Sequence, residues 1–208
     1  MLIPILGVIF AVTVLLEEIC MRKLKEICVC QPAADDEECD RLEYEEEKEG
    51  AFGMNVSVVS QVLSILVLTF GYSMKYITSD GHAFRFLAAC IVFIACFLYE
   101  YFWQIRYVKL LQKTHPEKKG EPSSLKFQEQ WLESCDEAEK EIIYQSAYKA
   151  YMTVNRTIPV LLVGTMVANL YFDTGMFAVV VVSVIWLLTQ FTYSHYCIKL
   201  REARALVR

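Results

Sequence analysis

The sequence contains no His-Glu-x-x-His, no Gly-x-Ser-x-Gly and no recognisable pair of carboxylates within an apolar run. A metalloprotease, a serine hydrolase and a two-carboxylate membrane enzyme are therefore not legible in it. The turn-rich stretch His115-Pro116-Glu117-Lys118-Lys119-Gly120-Glu121-Pro122 lacks the glycines and the terminal Lys-Ser/Thr of a phosphate cradle, and reads as a linker. No basic residue precedes the first apolar run and no small-x-small cleavage site follows it, which disfavours a signal peptide. Ionisable groups are nearly absent from the apolar runs, which argues against a substrate path or a proton relay. No cofactor and no nucleic-acid partner are expected.

What is present is segregation. Hydrophobic residues make up 55% of the 208 positions while 22% are charged, and the two classes alternate in long blocks. A soluble domain would spread its apolar residues at helix or strand periodicity instead. Leu2–Leu16 is the first run, short for a hydrocarbon core that needs about 20 helical residues, and reads as an uncleaved span rather than an interfacial segment. Met54–Tyr72, Ala83–Trp103, Thr157–Phe172 and Met176–Tyr196 follow, the last two separated by Asp173-Thr174-Gly175 as a tight hairpin. The expectation is an all-α polytopic membrane bundle of about five transmembrane helices plus a cytoplasmic amphipathic helix. Its parts are a first span (1–20), an acidic segment (21–52), a transmembrane hairpin (53–104), a linker with the amphipathic helix (105–156), a second hairpin (157–197) and a basic tail (198–208).

Lysine and arginine set the orientation. The segment Glu17–Phe52 holds five, Arg106–Arg156 nine and the tail four, so alternate segments carry eighteen of the twenty. The positive-inside rule then places the N-terminus outside and the C-terminus in the cytoplasm of a multi-pass cell-membrane protein. Five of the eight cysteines (Cys20, Cys28, Cys30, Cys39 and Cys135) face the reducing side, and Cys90, Cys96 and Cys197 lie in or beside spans, so free thiols are expected. Cys28, Cys30 and Cys39 lack the spacing of a zinc finger.

Asp35–Glu38 and Glu45–Glu47 show no apolar periodicity that demands a core, and read as a solvated linker or frayed helix. A docking surface for a basic partner and a loose divalent-cation site are the functional alternatives. Leu125–Met152 reads as one amphipathic helix, N-capped by Ser123 or Ser124. Phe127, Trp131, Cys135, Ala138 and Ile142 form its apolar stripe; Glu129, Glu133, Glu137 and Glu141 line another face. Trp131 and those four glutamates are the candidate partner-docking residues. Pro159 marks a start or kink in the next span. Inside the membrane, Gln61, Asn169 and Gln190 are candidates for polar contacts between helices, and Glu100 is expected to snorkel to water from one turn inside its span, as is His195.

Pro116-Glu117-Lys118-Lys119-Gly120-Glu121-Pro122, then Phe127, Trp131, Cys135-Asp136-Glu137-Ala138-Glu139-Lys140, Tyr144 and Tyr148-Lys149-Ala150-Tyr151, resemble a family of small multi-pass membrane proteins of Gram-positive bacteria described only as a domain of unknown function. Members often carry a further N-terminal hydrophobic segment, which leaves the partner of the first span open. The resemblance implies company with export-type ABC transporters or small regulators. The expected function is thus a non-enzymatic accessory subunit in contact with membrane lipids and another membrane protein. The alternative is a small transporter or immunity-type protein acting directly on a lipid or peptide.

Overall fold

The computed structural model describes residues 2–30, 36–71, 83–172 and 174–206. Pro32 and Asp35 of the acidic segment, Lys75, Asp173 and Arg208 lie outside the described residues. Among those described there are six helices and no strand: α1 (Leu2–Cys30), α2 (Asp36–Gly71), α3 (Ala83–Thr114), α4 (Phe127–Ser134), α5 (Glu137–Phe172) and α6 (Phe177–Leu206). The chain divides into two compact units, residues 1–135 and 136–208.

In the first unit, α1, α2 and α3 pack as an up-down-up bundle. Thr13 meets Ser60, Glu17 meets Ser57 and Lys23 meets Glu49, a constant-sum register that makes α1 and α2 antiparallel. Phe10 meets Tyr99 and Glu17 meets Trp103, so α1 and α3 run parallel. Buried positions recur at heptad steps on all three helices: Leu6, Thr13, Glu17, Cys20 and Leu24 on α1, and Ala89, Cys96, Glu100 and Trp103 on α3. On α2 they are Leu42, Glu46, Gly50, Gly53, Ser57, Ser60 and Ser64. Small residues dominate the α2 seam because helices in lipid gain by close backbone approach, and not by hiding apolar surface from water.

At 36 residues, α2 is about 54 Å long, well beyond a ~30 Å hydrocarbon core. Its first half takes in Asp36–Glu38 and Glu45–Glu47 of the acidic segment, which are regular helix and not a solvated linker or frayed helix. Hydrophobic periodicity is hidden there because, of the buried positions Leu42, Glu46, Gly50 and Gly53, only Leu42 is a large apolar side chain. The extra length packs against α1 and α3 around Cys20, Met21, Leu24 and Trp103, with Tyr107 and Leu110 alongside.

Among the described residues, four helices are long and apolar enough to cross a membrane: Ile3–Cys30, Glu37–Phe70, Ala83–Thr114 and Phe177–Lys199. The fifth expected run, 157–172, is helical within α5. It is only sixteen residues long and follows Asn155 and Arg156, so it falls short on apolar length. Pro159 lies inside α5 without ending it. In the second unit α5 and α6 pair, with the Tyr151 and Tyr193 rings stacked at 4.4 Å. Gly175, at φ +82°, supplies the left-handed backbone of their turn.

The helix expected over Leu125–Met152 is two helices. Cys135 is extended (φ −74°, ψ 148°) and its N–H bonds the Leu132 carbonyl, closing α4. Asp136 and Glu139 then form a reciprocal capping box: Asp136 Oδ1 accepts from the Glu139 N–H at 2.7 Å, and Glu139 Oε2 from the Asp136 N–H at 2.9 Å. That pair satisfies two of the free amides at the start of α5 and begins a new helix where the stripe alone suggested continuity. The N-cap of α4 is Lys126 and not a serine; Ser124 Oγ instead accepts from the Lys126 N–H at 3.2 Å within the preceding turn.

Candidate functional site

Where the three helices of the first unit leave their apolar runs, the heptad positions become polar. Glu17 comes one residue past the first run, Ser57 three residues into the second, and Glu100 three residues before the end of the third. The up-down-up register therefore sets all three at one level of the bundle. Glu17 and Glu100 are both 0% exposed. The expectation that Glu100 snorkels to water is overturned: its place on the seam, between Cys96 and Trp103, points it into the bundle. The sequence likewise showed no carboxylate pair, because Glu17 and Glu100 lie on different helices and only the register joins them.

The hydrogen bonds around the pair form two short groups, one at Glu17 and one that ends on Glu100. Ser57 Oγ donates to Glu17 Oε1 at 2.6 Å. One turn away, Thr13 Oγ1 donates to Ser60 Oγ at 2.9 Å, and Ser60 Oγ lies 3.6 Å from Cys96 Sγ. The Cys96 thiol donates to Glu100 Oε1 at 3.3 Å. The remaining oxygen of each carboxyl, Glu17 Oε2 and Glu100 Oε2, is buried with no hydrogen-bond partner. The two carboxyls are near enough for their charges to interact. No basic side chain pairs with either one among the described residues. Arg106, whose charge also reaches Glu17, is committed to Glu18, which additionally accepts from the Tyr99 hydroxyl at 3.0 Å.

Trp103 closes the layer on one side. Its indole N–H donates to the Glu17 carbonyl at 3.0 Å, and its ring stacks on Tyr107 at a centroid distance of 5.7 Å. Gly53 is required beneath it, since a Cβ there would lie 2.2 Å from Trp103 Cη2. Farther along, Lys23 Nζ pairs with Glu49 at 2.7 Å and His115 Nε2 lies 3.3 Å from Glu46 Oε1. These pairs tie the residues after the first expected span and after the third to one end of the unit.

A family model for "Protein of unknown function (DUF3169)" matches residues 2–197. The chain belongs to the DUF3169 family. The match spans both units of this DUF3169 protein, and agrees with its likeness to an uncharacterised domain. No curated protein and no solved structure matches the chain.

The residues singled out from the sequence are dispersed. In this DUF3169 protein Trp131 lies half-buried on α4, its ring 5.5 Å from that of Phe127. Glu129 and Glu133 are exposed on α4, whereas Glu137 and Glu141 are on α5, where Glu137 meets Lys140 at 3.4 Å and Glu141 accepts from Gln145 at 2.9 Å. The acidic row is thus split by the capping box and does not line one helix. Gln61 is half-buried on α2 in the first unit. Gln190 bonds Asn155 across the second hairpin, and accepts from the Tyr151 hydroxyl at 3.4 Å, rather than pairing with Asn169. His195 is exposed on α6 beside Tyr196. Cys20, Cys96 and Cys135 are buried thiols and Cys30 is exposed.

Proposed function

We propose that this DUF3169 protein is a five-span protein of the cell membrane, N-terminus outside and C-terminus cytoplasmic. It works by association with another membrane protein, without catalytic chemistry of its own. The observation that carries this reading is the pair Tyr144 and Tyr148 on the first half of α5, exposed by 59% and 55%. They precede the apolar run at Thr157 by thirteen and nine residues, about 20 and 14 Å of helix. A headgroup layer adds only about 5–8 Å to each side of the hydrocarbon core, so these rings reach past the lipid interface. Exposed aromatic surface beyond the bilayer is a contact surface for protein. The partner class in this reading is an export-type ABC transporter, with Trp131 and the Glu129–Glu133 flank of α4 as further candidate contacts.

A photo-crosslinking amino acid at Tyr148 in native membranes tests the reading. An adduct with one other membrane protein, lost when Tyr144 is changed to Ser, is the expected result. Adducts with lipid alone would refute it. The second reading, a small transporter or immunity-type protein acting on a lipid or peptide, is favoured by Glu17 and Glu100, since buried carboxylates on spanning helices commonly mark ion-linked sites. Export of a lipid or peptide by the purified protein alone in liposomes would support that second reading.

A further inference from the structure

The layer at Glu17 and Glu100 is under-neutralised. Two carboxyls at 0% exposure share it, each with one oxygen that no donor reaches. An uncompensated carboxylate in a dry interior is costly enough that the charge does not persist there alone. No basic side chain bonds either carboxyl, Arg106 being committed to Glu18; the groups beside them are the Cys96 thiol and the hydroxyls of Ser57, Ser60 and Thr13, which retain lone pairs while donating. Carboxylate and hydroxyl oxygens are hard ligands, suited to hard cations and not to soft metals.

We propose that Glu17 and Glu100, together with the hydroxyls of Thr13, Ser57 and Ser60, form a binding site for a small monovalent cation of the sodium class. The two unpartnered carboxyl oxygens and the three hydroxyl oxygens supply five protein oxygens. That is fewer than the 6–8 oxygens of a calcium site, and a magnesium ion would need to keep several waters inside a closed seam. A monovalent ion lowers the charge of the layer without demanding that full shell. Because its ligands come from α1, α2 and α3, the ion would join the three helices of the unit and stabilise their packed state. This inference does not rest on the accessory-subunit reading; it concerns the first unit alone, whichever partner the second unit meets.

The test is thermal unfolding of the full chain in detergent, in NaCl, KCl or choline chloride at one ionic strength and pH. A ligand present at about 100 times its Kd that binds only the folded state should raise Tm by about 5 °C or more. Glu17→Gln and Glu100→Gln remove the charge while keeping shape, so both variants are expected to fold. A higher Tm in NaCl or KCl than in choline chloride, abolished in both variants, supports the site. Equal Tm in all three salts overturns it, as does a salt-specific rise that persists in both variants. A Tm that moves with pH but not with the cation also overturns it, and assigns the pair to protons alone.

Discussion

Gly53→Ala isolates the packing of the seam in one methyl group. The added Cβ would lie 2.2 Å from Trp103 Cη2, 2.7 Å from Cζ2 and 3.1 Å from Cys20 Sγ. Carbon atoms are comfortable at about 3.5–4.0 Å, so the indole must retreat by more than ~1 Å. It is not free to do so: its N–H is bonded to the Glu17 carbonyl at 3.0 Å and its face is stacked on Tyr107. Overpacking of this kind costs about 1–3 kcal/mol, against a gain of up to ~1 kcal/mol from replacing glycine in a helix. With the indole pinned, the cost lies in the upper part of that range, about 2–3 kcal/mol, and the net loss of about 1–2 kcal/mol should lower Tm by roughly 2–8 °C for a chain of this length. Differential scanning fluorimetry in detergent reads it. Gly7→Ala is the matched control on α1: nothing lies within 4 Å of its Cβ, so Tm should hold or rise. Trp103→Phe should recover part of the loss in the Gly53→Ala background. A Gly53→Ala protein as stable as Gly7→Ala would refute the close approach of α2 and α3.

Asp136→Ala or Glu139→Ala should each cost about 1 kcal/mol at the start of α5. Faster hydrogen exchange at residues 137–140, with Cys20–Leu24 unchanged, would show it; unchanged exchange would contradict the capping box. Cys30 is exposed whereas Cys20 and Cys96 are buried, so maleimide should modify Cys30 in the folded protein and the other two only after denaturation. Equal rates by mass spectrometry would show that the bundle is open.

Segregated apolar runs sufficed to read an all-helical membrane protein, because a span is written in length and composition. The turn at Gly175 was also readable locally. Three features were not. The acidic segment reads as a solvated linker or frayed helix because its buried face, Leu42, Glu46, Gly50 and Gly53, holds one large apolar side chain, too little for a search for hydrophobic periodicity. The break after Cys135 is written in Asp136-x-x-Glu139, a capping signal overridden by a stripe of matching apolar residues on both sides of it. The site at Glu17 and Glu100 was missed because each carboxylate sits near the end of its run, where snorkelling is the ordinary outcome. The signal that could have found it is the heptad spacing Thr13, Glu17, Cys20, Leu24 set against Cys96, Glu100, Trp103, with the Ser57, Ser60, Ser64 repeat between them.

The proposed five-span topology turns on α5, whose sixteen-residue apolar run is the one expected span not among the four described helices long and apolar enough to cross a membrane, and one labelling experiment tests it. A Thr174→Cys protein carrying a reporter after Arg208 is treated in intact cells with a membrane-impermeant maleimide. Labelling of position 174 from outside, with the reporter active in the cytoplasm, is the result the account predicts. Labelling of position 174 only after permeabilisation would contradict it.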